Sequence, residues 1–270
     1  MKKFTLVLLA ACALLTISCK NNRNDAAKPS QEAVDAAEAV LADDVLALVD
    51  KLSTRFVEAA GNVNFPELVS SGISDKEKLV KPDYLLDPEM TKDLLTNFQK
   101  VNALAILVTE RPLRLAYDLP LAEADEVMNK LALDVNYPID SYAGSPSDFL
   151  QKAYSTCKER GELEYFWQFS FAAMNSMIYI IAHTPDVFFR NVTEEEYASF
   201  HQQYKDCLQA VQILRKYNSS LDRAMQIYSL NSNITVPMPA DNVYGTVELA
   251  KTNLVARKAV YEERRANFLK

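Results

Sequence analysis

Two histidines and two cysteines in the body of the chain are the side chains best suited to metal or redox chemistry. His183 and His201 are the only histidines, and they fall on different predicted helices, on either side of a turn that contains a proline. Two ligands on one helix share a face at spacings of three or four, whereas His201 and Cys207 are six positions apart. We therefore predict no metal site, and we expect His183 to lie near a helix C-terminus, where the helix dipole stabilises a cation.

Cys157 and Cys207 leave two interpretations open. In an oxidising compartment an even pair of cysteines can form a disulfide, and a bridge that closes a loop of fifty residues would contribute on the order of 3–4 kcal/mol. The alternative is two separately buried thiols, because cysteine also packs as a small apolar side chain. Pairing requires Cα atoms within about 7 Å of each other, a distance that spacing in the sequence does not give.

The sequence contains no recognised arrangement of nucleophile and base and no phosphate-binding loop. It has no Gly-x-Ser-x-Gly, no Ser-x-x-Lys with accompanying motifs and no Glu-x-x-His of the di-iron bundles. Its five glycines lie at least eleven positions apart, whereas phosphate loops need clustered glycines. The balance of 29 basic and 36 acidic residues argues against nucleic acid, which recruits proteins mainly through Lys and Arg. We expect no catalytic residue, no cofactor and no nucleic-acid partner.

The first twenty-five residues have the pattern of an export signal. Two lysines precede an uncharged, largely apolar run over 4–17, which has a length typical of signal peptides and is too short to span a bilayer. A serine and Cys19 follow, and the chain then becomes polar over 20–25. An apolar run that ends in small residues and a cysteine resembles the lipobox of bacterial lipoproteins. The resemblance implies that the Cys19 thiol carries diacylglycerol, that cleavage falls just before it, and that the new N-terminus is often acylated too.

Two alternatives to lipidation at Cys19 arise from the same residues. Thr16 occupies the position where a lipobox usually has Leu, and 9–12 match the pattern better by letter. Only eight apolar residues precede Cys12, however, and cleavage there would leave an apolar segment at the new N-terminus. The other alternative is an ordinary secretory peptide that is cut near the same place. We predict lipidation at Cys19, with a signal peptide over 1–18, a lipidated flexible tether over 19–30 and a helical domain over 31–270.

The charge of the processed chain indicates how it would be held at a membrane. Cleavage before Cys19 removes two lysines and leaves 27 basic against 36 acidic residues, so the body gains nothing from anionic lipid. Attachment then depends on acyl chains, of which two or more hold firmly. In the lipoprotein family Lys20 after the cysteine is not an inner-membrane retention signal, and the acidic cluster that directs some members to the cell surface is missing. The resemblance thus implies the periplasmic face of an outer membrane.

Helical periodicity runs through the body and predicts an all-α fold. Apolar residues recur at spacings of three and four in one segment after another, and alternating strands are hard to find. Gly61 ends the first predicted helix, Asp87-Pro88-Glu89 begins another that runs to Pro112, and Thr193 and Glu196 have the spacing of a capping box. We predict a single globular bundle of seven or eight helices, with the last helix over 246–268 and the longest loops at 61–87, 136–145 and 231–245.

The uncharged segment over 165–185 has three interpretations: a core helix, a transmembrane helix or an amphipathic helix lying on a membrane. A membrane-spanning helix needs about 20 predominantly apolar residues, and this segment is nearly long enough. Its flanks, Glu164 and Asp186, lack the positive charge typical of membrane boundaries, and four polar residues interrupt it: Gln168, Ser170, Asn175 and Ser176. A helix that is apolar all round also suits the centre of a bundle, and we predict a core helix.

These observations favour a non-enzymatic, lipid-anchored protein whose helical body binds a partner protein or has an accessory role at the envelope. The alternative is a small-molecule binder with a pocket between helices, where such sites often lie in bundles. The 26 aromatic residues could line such a pocket, although aromatic residues more often fill a core. An enzyme is a third hypothesis that no recognised motif supports. An apolar cavity with a few polar groups would favour ligand binding, and a broad exposed apolar patch would favour a protein partner.

Overall fold

A computed structural model describes residues 31–62, 64–138, 146–230 and 247–270. The predicted signal peptide, Cys19, the tether and the predicted loop at 231–245 lie outside the described residues. The chain divides into two units, Met1–Asp44 and Val45–Lys270. The described residues of the first unit are helical, and the contacts discussed below belong to the second unit.

The fold is all-α, as predicted, and the described ranges contain no strand. It has more helices than the seven or eight expected, because the predicted loop at 61–87 contains short helices and the predicted last helix is divided at Arg257. The helices are α1 (Gln31–Asn62), α2 (Phe65–Ser71), α3 (Asp75–Lys78), the 3-10 helix η1 (Pro88–Thr91), α4 (Asn97–Ala116), α5 (Ala122–Asp134), α6 (Pro146–Glu159), α7 (Leu163–His183), α8 (Pro185–Asn191), α9 (Glu194–Leu214), α10 (Ser219–Leu230), α11 (Val247–Ala256) and α12 (Lys258–Phe268).

Side-chain caps set several helix starts. The predicted capping box at the start of α9 is present: the backbone N–H of Glu196 donates to the Thr193 hydroxyl at 3.2 Å, and the Thr193 N–H donates to the Glu196 carboxylate at 2.7 Å. The same arrangement begins α3 at Ser74 and α4 at Thr96. Each box satisfies two N–H groups that have no acceptor within the helix, so local sequence is sufficient to place these starts.

The boundaries predicted around Pro88 and Pro112 are wrong. Asp87 caps only η1, and α4 begins later, behind the Thr96 cap. The helix also continues past Pro112 to Ala116. Proline removes one helical hydrogen bond, because it has no N–H to donate to the carbonyl four residues earlier. Twelve of the 20 residues of α4 are buried, and this burial stabilises the helix through the proline.

α7 is the central helix of the second unit. Sixteen of its 21 residues are buried, and it contacts α4, α6, α9, α10, α11 and α12, so the prediction of a core helix is confirmed. Within the described ranges, no helix combines the length and apolar character that a bilayer crossing requires. Trp167 on α7 is fully buried, and its ring lies 5.7 Å from the ring of Phe56 and 5.0 Å from that of Phe166, measured between centroids.

Buried polar side chains join α4, α7 and α12. The amide of Asn102 on α4 donates to the carbonyl of Phe268 on α12 at 3.0 Å, across 166 positions of sequence. Gln168 on α7 donates to the Asn102 side-chain oxygen at 2.9 Å and to the Phe98 carbonyl at 2.8 Å. Two of the residues in this chain of bonds, Asn102 and Gln168, are at most 1% exposed. One of the polar residues that interrupt α7 therefore has a packing role.

Candidate functional site

An apolar cavity of about 280 Å³ lies among α1, α2, α4, α6, α7 and α9 and is partly open to solvent. Phe56, Phe65, Phe149, Phe169 and Phe200 contribute aromatic rings to its wall, each from a different helix. Protein interiors contain few voids larger than a water molecule, and ligand pockets begin at about 300 Å³. The cavity is therefore large for a packing defect and close to the size of a small-ligand site. We refer to it below as the central cavity.

Helical periodicity turns one side of α7 toward the central cavity. Phe169, Ala173 and Met177 recur at spacings of four and lie on the same face of the helix, and all three line the cavity. Phe56 and Ala60 on α1 have the same spacing and also line the cavity. The alanines leave space between the larger side chains. The cavity forms where the faces of several helices meet, and no single helix encloses it.

Two buried polar side chains line the central cavity without a hydrogen-bond partner among the described residues. Ser170 on α7 is 1% exposed and Gln203 on α9 is 4% exposed. The Ser170 Oγ and the Gln203 Nε2 have no partner in the described part of the chain. A buried polar atom without a partner costs about 1–3 kcal/mol, and most buried polar groups are satisfied. Both atoms are enclosed by protein, so a molecule in the cavity does not reach them.

The proline of α4 lies in the wall of the central cavity. Val108 and Pro112, one helical turn apart on α4, both line the central cavity. Because proline has no N–H, the Val108 carbonyl lacks its usual donor four residues later. α4 therefore lines the cavity at the point where its helical hydrogen bonding is interrupted.

Among the described residues, the charged ones that line the central cavity are Glu67 and Arg111. Glu67 is exposed, at the start of α2. The guanidinium of Arg111 donates to both carboxylate oxygens of Asp125, at 2.8 and 3.0 Å. Bidentate pairing of this kind is strong and geometrically specific, so Asp125 neutralises the charge of Arg111. The cavity therefore presents mainly apolar surface to an occupant.

A second buried polar cluster surrounds Glu110 on α4, away from the central cavity. Glu110 is fully buried, accepts the Leu86 N–H at 2.8 Å, pairs with Arg265 of α12, and has the Arg114 guanidinium 3.7 Å away. Arg265 also lies over the ring of Tyr179, 4.3 Å from its centroid. Burial raises the pKa of Glu110, while Arg265 and Arg114 act in the opposite direction. The Glu110 cluster fastens α12 and the segment before η1 to α4, which is a structural role.

The structure places His183 and His201 on different helices, α7 and α9. His183 lies in the last turn of α7, where its Nδ1 is 2.8 Å from the Tyr179 carbonyl oxygen and its Nε2 is 3.2 Å from Glu262. Burial lowers the pKa of His183, although Glu262 opposes that shift. In the described ranges, no group of three or more His, Cys, Asp and Glu side chains is arranged to hold a metal ion.

Cys157 on α6 and Cys207 on α9 are free thiols, and both are buried. Of the two interpretations that the sequence left open, the structure therefore has separate thiols and no disulfide between them. Burial raises the pKa of Cys157 to about 12 and also raises the pKa of Cys207. A protonated, buried thiol is a poor nucleophile, so neither cysteine has the properties of a reactive site.

Sequence reasoning identified Ser170 as a polar interruption of the apolar segment but did not identify Gln203. The signal for Gln203 is its position in the buried stripe of α9, three residues after Phe200 and one before Tyr204, all buried.

Comparison with protein-family models, with curated proteins and with solved structures gives no match to this chain. Its function is therefore argued below from its own residues.

Proposed function

We propose that this chain is a lipid-anchored protein of the bacterial envelope whose helical body binds a small, mainly apolar molecule in the central cavity. The observation that supports binding is the cavity itself, a partly open space of about 280 Å³ with phenylalanine rings from five helices in its wall. An apolar molecule would fill this space and be removed from water by the rings around it.

The size of the central cavity limits the ligand. An engineered apolar cavity of about 150 Å³ in another protein accepts benzene, and the present volume of about 280 Å³ is nearly twice as large. The part of the ligand inside the protein therefore corresponds to a molecule about the size of two fused rings. Because the cavity is partly open, a longer ligand could extend beyond it.

A substitution that fills the cavity tests ligand binding. Ala173→Trp places a large ring where Ala173 lines the central cavity, and we expect affinity for a neutral fluorescent naphthalene, measured by titration, to fall at least about tenfold. Ala198→Trp is the matched control, since Ala198 is exposed on α9 and should leave affinity unchanged. The proposal fails if wild-type protein that is folded by circular dichroism binds no such compound, or if both variants bind as the wild type does.

The proposed anchor is lipid on Cys19, and the proposed location is the periplasmic face of an outer membrane. Its support is the resemblance of the apolar run and Cys19 to a lipobox, together with the net negative charge of the rest of the chain. We expect Cys19→Ala to move the protein from the membrane fraction to the soluble fraction on cell fractionation. Cys12→Ala is the control and should leave the protein in the membrane fraction. If the two variants behave in the opposite way, the lipid is on Cys12.

A protein partner is the second candidate function, and exposed apolar side chains favour it. Leu79 and Val80 are adjacent and 82% and 75% exposed. Isolated exposed apolar residues are common on protein surfaces, so this observation weighs less than the central cavity. A protein that co-purifies with the wild type and is lost from Leu79→Glu would favour this candidate.

A further inference from the structure

We infer that the ligand of the central cavity is an amphiphile, with an apolar part of about ten carbon atoms inside the cavity and an uncharged or cationic polar head that stays at its mouth. This inference rests on the proposed function and adds the class and the orientation of the ligand. The mouth is the part of the wall that keeps solvent exposure, and Glu67 is the residue there that discriminates against anionic heads.

The mouth of the central cavity differs from its inner wall. Lining residues that keep solvent exposure mark the opening, and they come mainly from the start of α2, from α4 and from the start of α6, as in Asn64, Glu67, Arg111, Phe149 and Leu150. The buried lining residues are mainly aromatic and aliphatic and include Phe169, Met177 and Phe200. Among the described lining residues, the charged side chains thus lie at the mouth, and polarity increases from the inside outward.

The turn that carries Glu67 is fixed at the mouth by its two neighbours. The side-chain oxygen of Asn64 caps α2 and accepts the Glu67 N–H at 3.4 Å. Phe65 is 3% exposed, and its ring centroid lies 4.8 Å from that of Phe200 and 6.3 Å from that of Phe188. Capping and aromatic packing therefore hold this charged turn against the wall of the cavity.

The size of the central cavity leaves the head of the ligand outside. Its volume of about 280 Å³ matches about ten carbon atoms, so a longer apolar part or a bulky head does not fit inside. A polar head carried into the cavity would lose its hydration against a mainly apolar wall, whereas an apolar end left at the mouth would keep contact with water. An amphiphile with its head at the mouth avoids both costs.

The charges at the mouth disfavour an anionic head. The Arg111 guanidinium is paired with Asp125 at 2.8 and 3.0 Å, whereas the Glu67 carboxylate takes part in no hydrogen bond or ion pair among the described residues. These three side chains sum to one negative charge. Because Glu67 is exposed, water and salt screen its charge, so the discrimination between heads is modest and decreases as ionic strength rises.

A series of alkyl maltosides tests where the head lies, because their two-sugar head is too large for the cavity. We expect affinity for wild-type protein to rise about three- to fourfold with each methylene from hexyl to decyl, since each one leaves water. From dodecyl to tetradecyl it should level off, because the added carbon extends beyond the cavity. Affinities are measured below micelle-forming concentrations by displacement of the neutral fluorescent naphthalene. Ala173→Trp should weaken binding of decyl maltoside at least about tenfold, and Ala198→Trp should not.

Octyltrimethylammonium and octyl sulfate compare opposite charges on the same chain. At low ionic strength we expect the ammonium to bind about three- to tenfold more tightly than the sulfate, and Glu67→Gln to reduce this ratio at least about twofold. Glu263→Gln is the matched control. It makes the same change in net charge at an exposed position on α12, which contributes none of the described lining residues, and it should leave the ratio unchanged. Circular dichroism shows that each variant folds.

The outcomes separate this inference from the proposed function. If no maltoside binds while the neutral naphthalene binds and is sensitive to Ala173→Trp, the inference is overturned and the proposed function is kept. Affinity that continues to rise through tetradecyl, or that does not depend on chain length, also overturns the inference. Sulfate binding as tight as ammonium binding, or an unchanged ratio in folded Glu67→Gln, overturns the role of Glu67. Absence of binding by the naphthalene and by every amphiphile to folded wild-type protein overturns both.

Discussion

Glu110→Gln should lower the free energy of unfolding by about 3–5 kcal/mol, the usual cost of breaking a buried ion pair by removing one partner. The substitution preserves the shape of the side chain but removes its charge, and it leaves the guanidinium groups of Arg114 and Arg265 without a counter-ion at 7% and 8% exposure. The glutamine amide can accept a hydrogen bond from one donor, and its own N–H groups then face the others. Urea denaturation followed by circular dichroism measures the loss.

Asp134→Asn is the matched control for Glu110→Gln. Asp134 pairs with Lys100 at 2.7 Å across α5 and α4, but this pair lies at the surface, where ion pairs contribute little to stability. We expect no measurable change in the midpoint of unfolding. If Glu110→Gln is as stable as the wild type while Asp134→Asn is not, the Glu110 cluster does not fasten α12 to α4.

Trp167→Ala should lower the free energy of unfolding by about 3–5 kcal/mol, the range for removal of a large aromatic side chain from a core. Trp167 is fully buried near the start of α7, and its truncation removes the ring contacts with Phe56 and Phe166. Because Phe56 also lines the central cavity, loss of the indole should enlarge that cavity as well as destabilise the fold. Urea denaturation measured by circular dichroism gives the free energy of unfolding without the need for tryptophan fluorescence.

Trp167→Phe separates the loss of volume from the loss of the indole nitrogen. The Trp167 Nε1 has no hydrogen-bond partner among the described residues, so phenylalanine removes an unsatisfied donor while keeping most of the packing. We expect this variant to lower the free energy of unfolding by less than about 1.5 kcal/mol, as other conservative core replacements do. If Trp167→Phe and Trp167→Ala lower the free energy of unfolding equally, the effect of Trp167→Ala does not come from lost packing.

The sequence was sufficient to predict those parts of the fold that depend on neighbouring residues. The all-α class and the buried character of α7 follow from local periodicity and apolar content, and the start of α9 follows from the spacing of Thr193 and Glu196. Pro112 shows the limit of local rules. In isolation it should end a helix, but the burial of α4 on both sides of it outweighs one lost hydrogen bond.

The candidate site could not be predicted in the same way, because tertiary packing creates it. Phe56, Phe169 and Phe200 each have the pattern of ordinary core residues on their own helices, and only the meeting of these helices leaves a cavity between them. The Glu110 cluster is similar, since Glu110 and Arg265 belong to helices far apart in the chain and no motif connects them. Gln203 differs in kind, because a glutamine within a buried stripe can be noticed in the sequence of α9 alone.

The hydrogen bond between Asn102 and Phe268 has a consequence for biosynthesis. α12 leaves the ribosome after all the other helices described, so α4 and α7 emerge long before the residues that cover their buried polar groups. During that interval the apolar surface of α7 is open to misassociation. A chain in which α12 has not yet packed would present this surface to aggregation and to proteases that degrade unfolded protein.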